Sequence, residues 1–393
     1  MSFLSFLINY KYVLLFYTSV ALIVYFNRKK FDVEAKFIYL YRTKFGLKLI
    51  DSIARHKKTI IAIGKLSAFV GFLGVFYVIW LLIKRLIVVL TNPNALGVAP
   101  VLPGLPIAGT GINFPLVIGW ISLFIIIVIH EFSHGVMAKA HNIKVKSSGI
   151  AFFGPILAAF VEPDEKRLIK QKPIVQNSVF SAGPIANIVT SFLFFLILGY
   201  LIAPAVKGIT EIRGIEISPI NETPAHYAGL PNSSVLIGIN NVTITTIEQL
   251  QNITKQIKPN TTVTLNLASN KSIKVIATKH PENASRGYIG IKFLKVIEKP
   301  KFNTLGYRIA YRILNWLSDL FFWLYFISLN LGLINLFPIF ITDGARIIQS
   351  IMLKYFKDEK RAIKWWKLAN EICLFILLLL IFVPWIKKLL AVL

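Results

Sequence analysis

Cysteine is nearly absent from this chain: Cys373 stands alone among 393 residues. One thiol cannot build an intramolecular disulfide framework or a cysteine-based metal site. Acidic residues are also scarce, 18 Asp and Glu against 44 Lys and Arg, giving a formal net charge of +26. Such a surplus would suit a nucleic-acid surface, yet no nucleic-acid-reading motif accompanies it. Its placement points elsewhere. Segment 27–58 carries ten Lys/Arg against three acids and lies between two apolar runs. That is the pattern of a cytoplasmic loop under the positive-inside bias, and it suits anionic lipid headgroups. The implied partner is a lipid bilayer, with no nucleic acid.

What the chain has in abundance is apolar sequence, 55% of its residues, in runs that reach the roughly 20 residues needed to cross a bilayer. Six spans are expected, near 12–26, 62–90, 114–138, 176–203, 309–335 and 368–386. The first is followed by Arg28, Lys29 and Lys30, the reverse of a cleaved secretory signal, so it reads as a retained span. Residues 91–113 have no charged side chain and many Gly and Pro, as an irregular outer loop would. Residues 147–162 are apolar but short and broken by Gly149, Gly154 and Pro155. They read as a re-entrant or interfacial loop, buried in protein or lining a wet cavity.

Residues 206–300 alternate polar and apolar positions as short strands do, with one helical stretch near 246–257. They hold all seven N-x-S/T sequons, at Asn221, Asn232, Asn241, Asn252, Asn260, Asn270 and Asn283, which suits an external segment of a cell-membrane protein. With six spans, the Lys/Arg-rich segments 27–58, 139–172 and 354–367 share one side and the sequons the other. The basic loops are then cytoplasmic. Lys84 and Arg85 sit at the end read as external and count against this orientation. The expected fold is membrane all-α, a six-span transmembrane helical bundle with a re-entrant loop and an inserted small β-rich extramembrane domain. Its divisions are 1–113, 114–205 (membrane core), 206–300 (external), 301–356 (membrane core again) and 357–393.

The chemistry is concentrated in His130-Glu131-Phe132-Ser133-His134, at the end of the third span. Histidines four apart project from one helix face, about 40° from each other. Two such imidazoles can both reach one Zn²⁺, and Glu131 stands where a general base for a water would be wanted. An acid near a helix centre in the bilayer costs about 2.5–3.5 kcal/mol, so three polar groups at this spacing are poor candidates for accidents. Zinc needs a third protein ligand. A third histidine in metzincin register would fall on Ala140, while His141 is out of phase and His56, His226 and His280 lie in polar segments. Two carboxylates at membrane depth remain, Asp343 and Asp319. Asp343, after the break at Pro338 and before Gly344, is favoured, because a broken helix can aim a carboxylate into a bundle.

Three separated tracts together resemble the site-2 protease family of intramembrane zinc metalloproteases. They are HEFSH, then Ser181-Ala182-Gly183-Pro184-Ile185-Ala186-Asn187, then Asn335-x-x-Pro338 with Asp343-Gly344. The resemblance covers roughly residues 114–352 and implies roles. His130, His134 and Asp343 would bind Zn²⁺ and Glu131 would activate water. Asn187 and Asn335 would line the site, steadying either substrate backbone or a developing oxyanion. Ile341 and Thr342 depart from the family's usual Pro and Leu. The inserted segment resembles a PDZ domain, through Thr223–Leu230, Val235–Asn241, the helix near 247–257 and strands near 261–267 and 272–277. It would bind peptide by strand addition or act as a size filter. The implied activity is cleavage of transmembrane helices of membrane-tethered proteins. Two alternatives stay open: a membrane metalloprotease with a glutamate third ligand such as Glu162, and a non-enzymatic PDZ-bearing receptor or scaffold.

Overall fold

The computed structural model describes residues 3–390 apart from 35–37, 93–94, 109, 111, 155, 245, 282 and 357. Pro155, one of the expected breaks in segment 147–162, thus lies outside the described residues. The chain divides into two compact parts, residues 1–198 with 319–393, and residues 199–318.

The first part opens with α1 (Phe3–Phe26), β1 (Asp32–Glu34), β2 (Ile38–Thr43), α2 (Leu47–Ile53) and α3 (Lys57–Thr91). Then come α4 (Leu116–Ala140), β3 (Val145–Phe153), β4 (Ile156–Pro163), α5 (Glu165–Leu168) and α6 (Pro173–Ile197). Six helices among the described residues are long and apolar enough to cross a membrane: Leu7–Phe26, Lys57–Thr91, Leu116–Ala140, Pro173–Ile209, Leu305–Leu336 and Glu359–Lys387. Each contains or overlaps an expected span. The 35 residues of α3 make a helix of about 50 Å, well beyond the roughly 30 Å of hydrocarbon. Lys84 and Arg85 near its far end therefore do not conflict with a span.

The expectation of an all-α membrane part needs correction. Segment 147–162 is an antiparallel hairpin, with Ser148 opposite Val161 and Phe153 opposite Ile156. The basic segment before α3 supplies two more strands, giving a four-stranded sheet in the order β1-β2-β3-β4. Irregular backbone would leave amides unpaired, and ladder bonds satisfy them. Phe31 packs its ring edge against Tyr39, Tyr41 and Phe152, and Arg42 binds Asp32, Glu34 and Glu162. Neither strand of segment 27–58 was foreseen, since its dense charge hides a six-residue strand.

The second part runs through α7 (Ala203–Ile209), β5 (Thr210–Pro219), α8 (Pro224–Tyr227), β6 (Ser234–Ile239), β7 (Val242–Thr243) and α9 (Ile247–Gln256). It continues with β8 (Thr262–Leu267), β9 (Ser272–Ile276), β10 (Thr278–Lys279), β11 (Gly287–Tyr288) and β12 (Ile291–Pro300). One sheet has the order β12-β5-β6-β8-β9, with β7 on β6, and β10 pairs β11 separately. Ile215, Ile217, Leu236, Ile239, Val263 and Leu265 fill its core. A capping box between Thr246 and Gln249 starts α9.

The long helix α10 (Leu305–Leu336) begins in the second part and ends in the first, followed by α11 (Asp343–Tyr355) and α12 (Glu359–Leu390). In the first part Val75, Val136, Val179, Leu336 and Ile347 pack into one core. Phe114, Ile126, Trp323 and Ile327 pack into another. Pro384 lies inside α12 and has no N–H for the carbonyl four residues before it. That carbonyl, of Leu380, instead accepts from Val98 N–H at 3.1 Å, which ties the uncharged loop to α12.

Candidate metal centre

Both histidines of the HEFSH tract lie on α4, and their rings meet edge-on with Nε2 atoms 3.2 Å apart. Asp343 Oδ2 is 3.2 Å from His130 Nε2 and 3.3 Å from His134 Nε2. The three side chains form a group that could hold a metal ion. Tetrahedral donors about 2.0–2.1 Å from a zinc ion stand about 3.3–3.4 Å apart, so the observed triangle matches one face of such a tetrahedron. His130 is buried, and Asp343 and His134 expose 15% and 12% of their side chains. A narrow opening therefore remains on an otherwise enclosed site.

The local sequence explains how the three meet. On α6, Gly183 gives the rings their space: a Cβ there would lie 2.3 Å from His134 Nε2 and 2.7 Å from His130 Nε2. Pro184 follows inside the helix and leaves the carbonyl of Phe180, the neighbour of Val179, without its usual amide donor. In the same turn the Val179 carbonyl accepts from His134 Nδ1 at 2.7 Å. A carbonyl can only accept, so His134 carries a proton on Nδ1, and in the neutral ring it is Nε2 that has a lone pair to offer a metal.

Asp343 is the first residue of α11, after a turn over 337–342. Thr342 Oγ1 lies 2.6 Å from the Phe337 carbonyl and 2.9 Å from that of Ile339. The departure from Leu at position 342 thus places a hydroxyl where it stitches the break. Ile341, in place of the second proline, is 93% exposed and makes no demand on the turn. Gly344 lets the break close, since a Cβ there would meet the Leu336 carbonyl oxygen at 2.1 Å.

Glu131 points at the hairpin, where its Oε2 accepts the Val161 N–H at 3.0 Å. Asn187 is fully buried and its amide meets His130 Nδ1 at 3.1 Å. Asn335 donates to the Leu331 carbonyl one turn back, at 3.0 Å; among the described residues it has no hydrogen bond to the three clustered side chains. Asp319 stays outside the group. Glu162 is engaged elsewhere, accepting from the Ser147 hydroxyl at 2.7 Å and pairing with Arg42 at 3.3 Å. Those partners hold its carboxyl below the usual carboxylate range, against the opposing pull of burial. The Val161 amide and the Val179 carbonyl had escaped the sequence reading. Backbone groups carry no side-chain signature.

A family model described as Peptidase family M50 matches residues 118–380. Among curated proteins the chain is 28% identical over 313 residues to an "Uncharacterized protein" of Methanocaldococcus jannaschii, covering 78% of this chain and 76% of that one. It is 24% identical over 214 residues to a protein of Clostridium acetobutylicum named "Putative zinc metalloprotease", covering 48% and 60%.

Proposed function

Since the chain belongs to peptidase family M50, the site-2 protease family of membrane metalloproteases, we propose that it is an intramembrane zinc metalloendopeptidase. Its substrates would be transmembrane segments of membrane-tethered proteins. The observation that carries this reading is the triangle of His130, His134 and Asp343 donor atoms among helices long enough to span a bilayer.

His130, His134 and Asp343 would hold zinc, which when bound would polarise the scissile carbonyl and make a water easier to deprotonate. Glu131 receives that proton and returns it to the leaving amine. Val161 N–H fixes Oε2 of Glu131, which leaves Oε1 to carry the proton. The Val179 carbonyl keeps the His134 ring in one tautomer. A helical substrate shields its own amides and must unwind to be cut. Its extended backbone adds to the outer edge of β4, beyond the ladder with β3.

The basic loops are read as cytoplasmic and residues 206–300 as an external, PDZ-like domain of a cell-membrane protein. A groove of about 290 Å³ between α9 and residues 287–293, lined by Leu250, Thr254, Ile257, Tyr288 and Ile291, favours peptide capture over size filtering alone.

The test is cleavage of a single-span substrate by the full chain in lipid vesicles. Glu131→Gln should lower the rate by about 10²–10⁴, and a zinc chelator should stop it. Cleavage that persists in Glu131→Gln would reject the mechanism, and no cleavage by the wild type of any single-span substrate would favour a scaffold. Zinc content separates the ligand sets: Asp343→Asn should lose the metal and Glu162→Gln should keep it.

A further inference from the structure

The two histidines are held from behind by different kinds of group. His134 Nδ1 faces a carbonyl, which can only accept, so its tautomer is settled. His130 Nδ1 faces the side-chain amide of Asn187, which offers a donor at one end and an acceptor at the other. In the structure the Nδ2 end lies against the ring, and Oδ1 is buried with no hydrogen-bond partner among the described residues. A half-turn of the amide exchanges the two ends. With Nδ2 against the ring, Nδ1 must offer a lone pair, so a neutral imidazole carries its proton on Nε2, the atom aimed at Asp343. With Oδ1 against the ring, Nδ1 carries the proton and Nε2 has a lone pair to give.

We infer that Asn187 is a positioning residue whose carbonyl oxygen accepts the His130 Nδ1 proton and so selects the tautomer that can ligate zinc. The inference rests on the zinc reading above. It gives Asn187 a role through His130 rather than through the substrate. The residue is well placed to hold one orientation. It is fully buried, and its backbone carbonyl accepts from the Ser328 hydroxyl at 2.8 Å, which ties this turn of α6 to α10. Outer partners of metal-bound imidazoles act in this way, fixing the ring and raising its basicity.

The experiment measures the zinc dissociation constant of the full chain in detergent, by competition with a chelator of known affinity, for wild type, Asn187→Asp, Asn187→Ala and Asn187→Leu. Aspartate keeps an acceptor and removes the donor, whereas alanine and leucine remove both. The expected order is aspartate at least as tight as wild type, with alanine and leucine weaker by roughly 10- to 100-fold. A residue needed only for packing gives the opposite order, with leucine retained and the buried carboxylate harmful. That order would overturn the inference, as would alanine and leucine both binding like wild type. If the alanine and leucine variants fail to fold, aspartate decides alone, because donation from Nδ2 requires it to bind more weakly than wild type. Wild-type protein that takes up no zinc would instead reject the metal reading itself, and this inference with it.

Discussion

Both compact parts of this protein have apolar cores, but they differ in what else they bury and what they expose. Residues 199–318 put apolar side chains inward: Ile215, Ile217, Leu236 and Leu265 are fully buried. The membrane part turns apolar side chains outward, as with Phe69, Trp80, Phe192 and Phe375, and keeps polar ones within, including Ser122, His130, Asn177, Ser178, Asn187, Ser328 and Asn370. In water the hydrophobic effect sorts side chains. In lipid that sorting disappears, and polar groups gather where they can bond to one another. A buried polar residue is thus unusual in the second part and part of the architecture in the first. Chemistry is found where such residues converge on a point.

Substitutions can break this contrast. The largest effect is expected from Gly183→Ala. Its added methyl would sit 2.3 Å from His134 Nε2 and push the rings apart, although alanine is the better helix former by about 1 kcal/mol. The chain should fold and span as before while losing zinc and cleavage, read by metal analysis and a substrate assay. The matched control is Gly306→Ala, where nothing among the described residues lies within 4 Å of the new Cβ; activity should be unchanged. Next comes Leu265→Ala in the strand-rich core. It should destabilise that part by about 2–5 kcal/mol, seen as early proteolysis within 199–318, with zinc retained in the membrane part. If it lost zinc as well, the two parts would not be energetically separate.

The smallest effect concerns pH. Glu162 has a lowered pKa through the Ser147 hydroxyl and Arg42. Its contribution to stability is present above the ordinary carboxylate value, about 4.3, and is lost as pH falls through the lowered one. Glu162→Gln should therefore melt slightly below wild type at pH 7, and the gap should close in strongly acidic solution. The pair is partly exposed, so the difference should be small. An equal gap at both pH values would mean that the ion pair contributes nothing.

Much of this was legible before any coordinates. The six apolar runs announced themselves by length, and HEFSH by two histidines on one helix face. The helical stretch near 246–257 anticipated α9. The sheet beside the membrane helices was not legible. Segment 27–58 reads as a charged loop, yet Ile38–Thr43 pairs with Ser148–Phe153, more than 100 residues away. No local periodicity reports a partner so distant. Asn187 and Asn335 both matched family tracts, but only the structure separates them, since it is the Asn187 side chain that reaches His130.

By itself the sequence determined the class of the molecule, the number of apolar spans and the pair of histidines placed to share a metal, with Asp343 only favoured as their third partner. These follow from composition and helical spacing, which are properties of short stretches. The tertiary structure alone decided that Asp343 Oδ2 stands 3.2 and 3.3 Å from two imidazoles more than 200 residues earlier. It also decided which backbone groups steady Glu131 and His134. Such distances depend on how α4, α6 and α11 pack, through the space at Gly183 and the turn stitched by Thr342, and packing is a property of the whole chain.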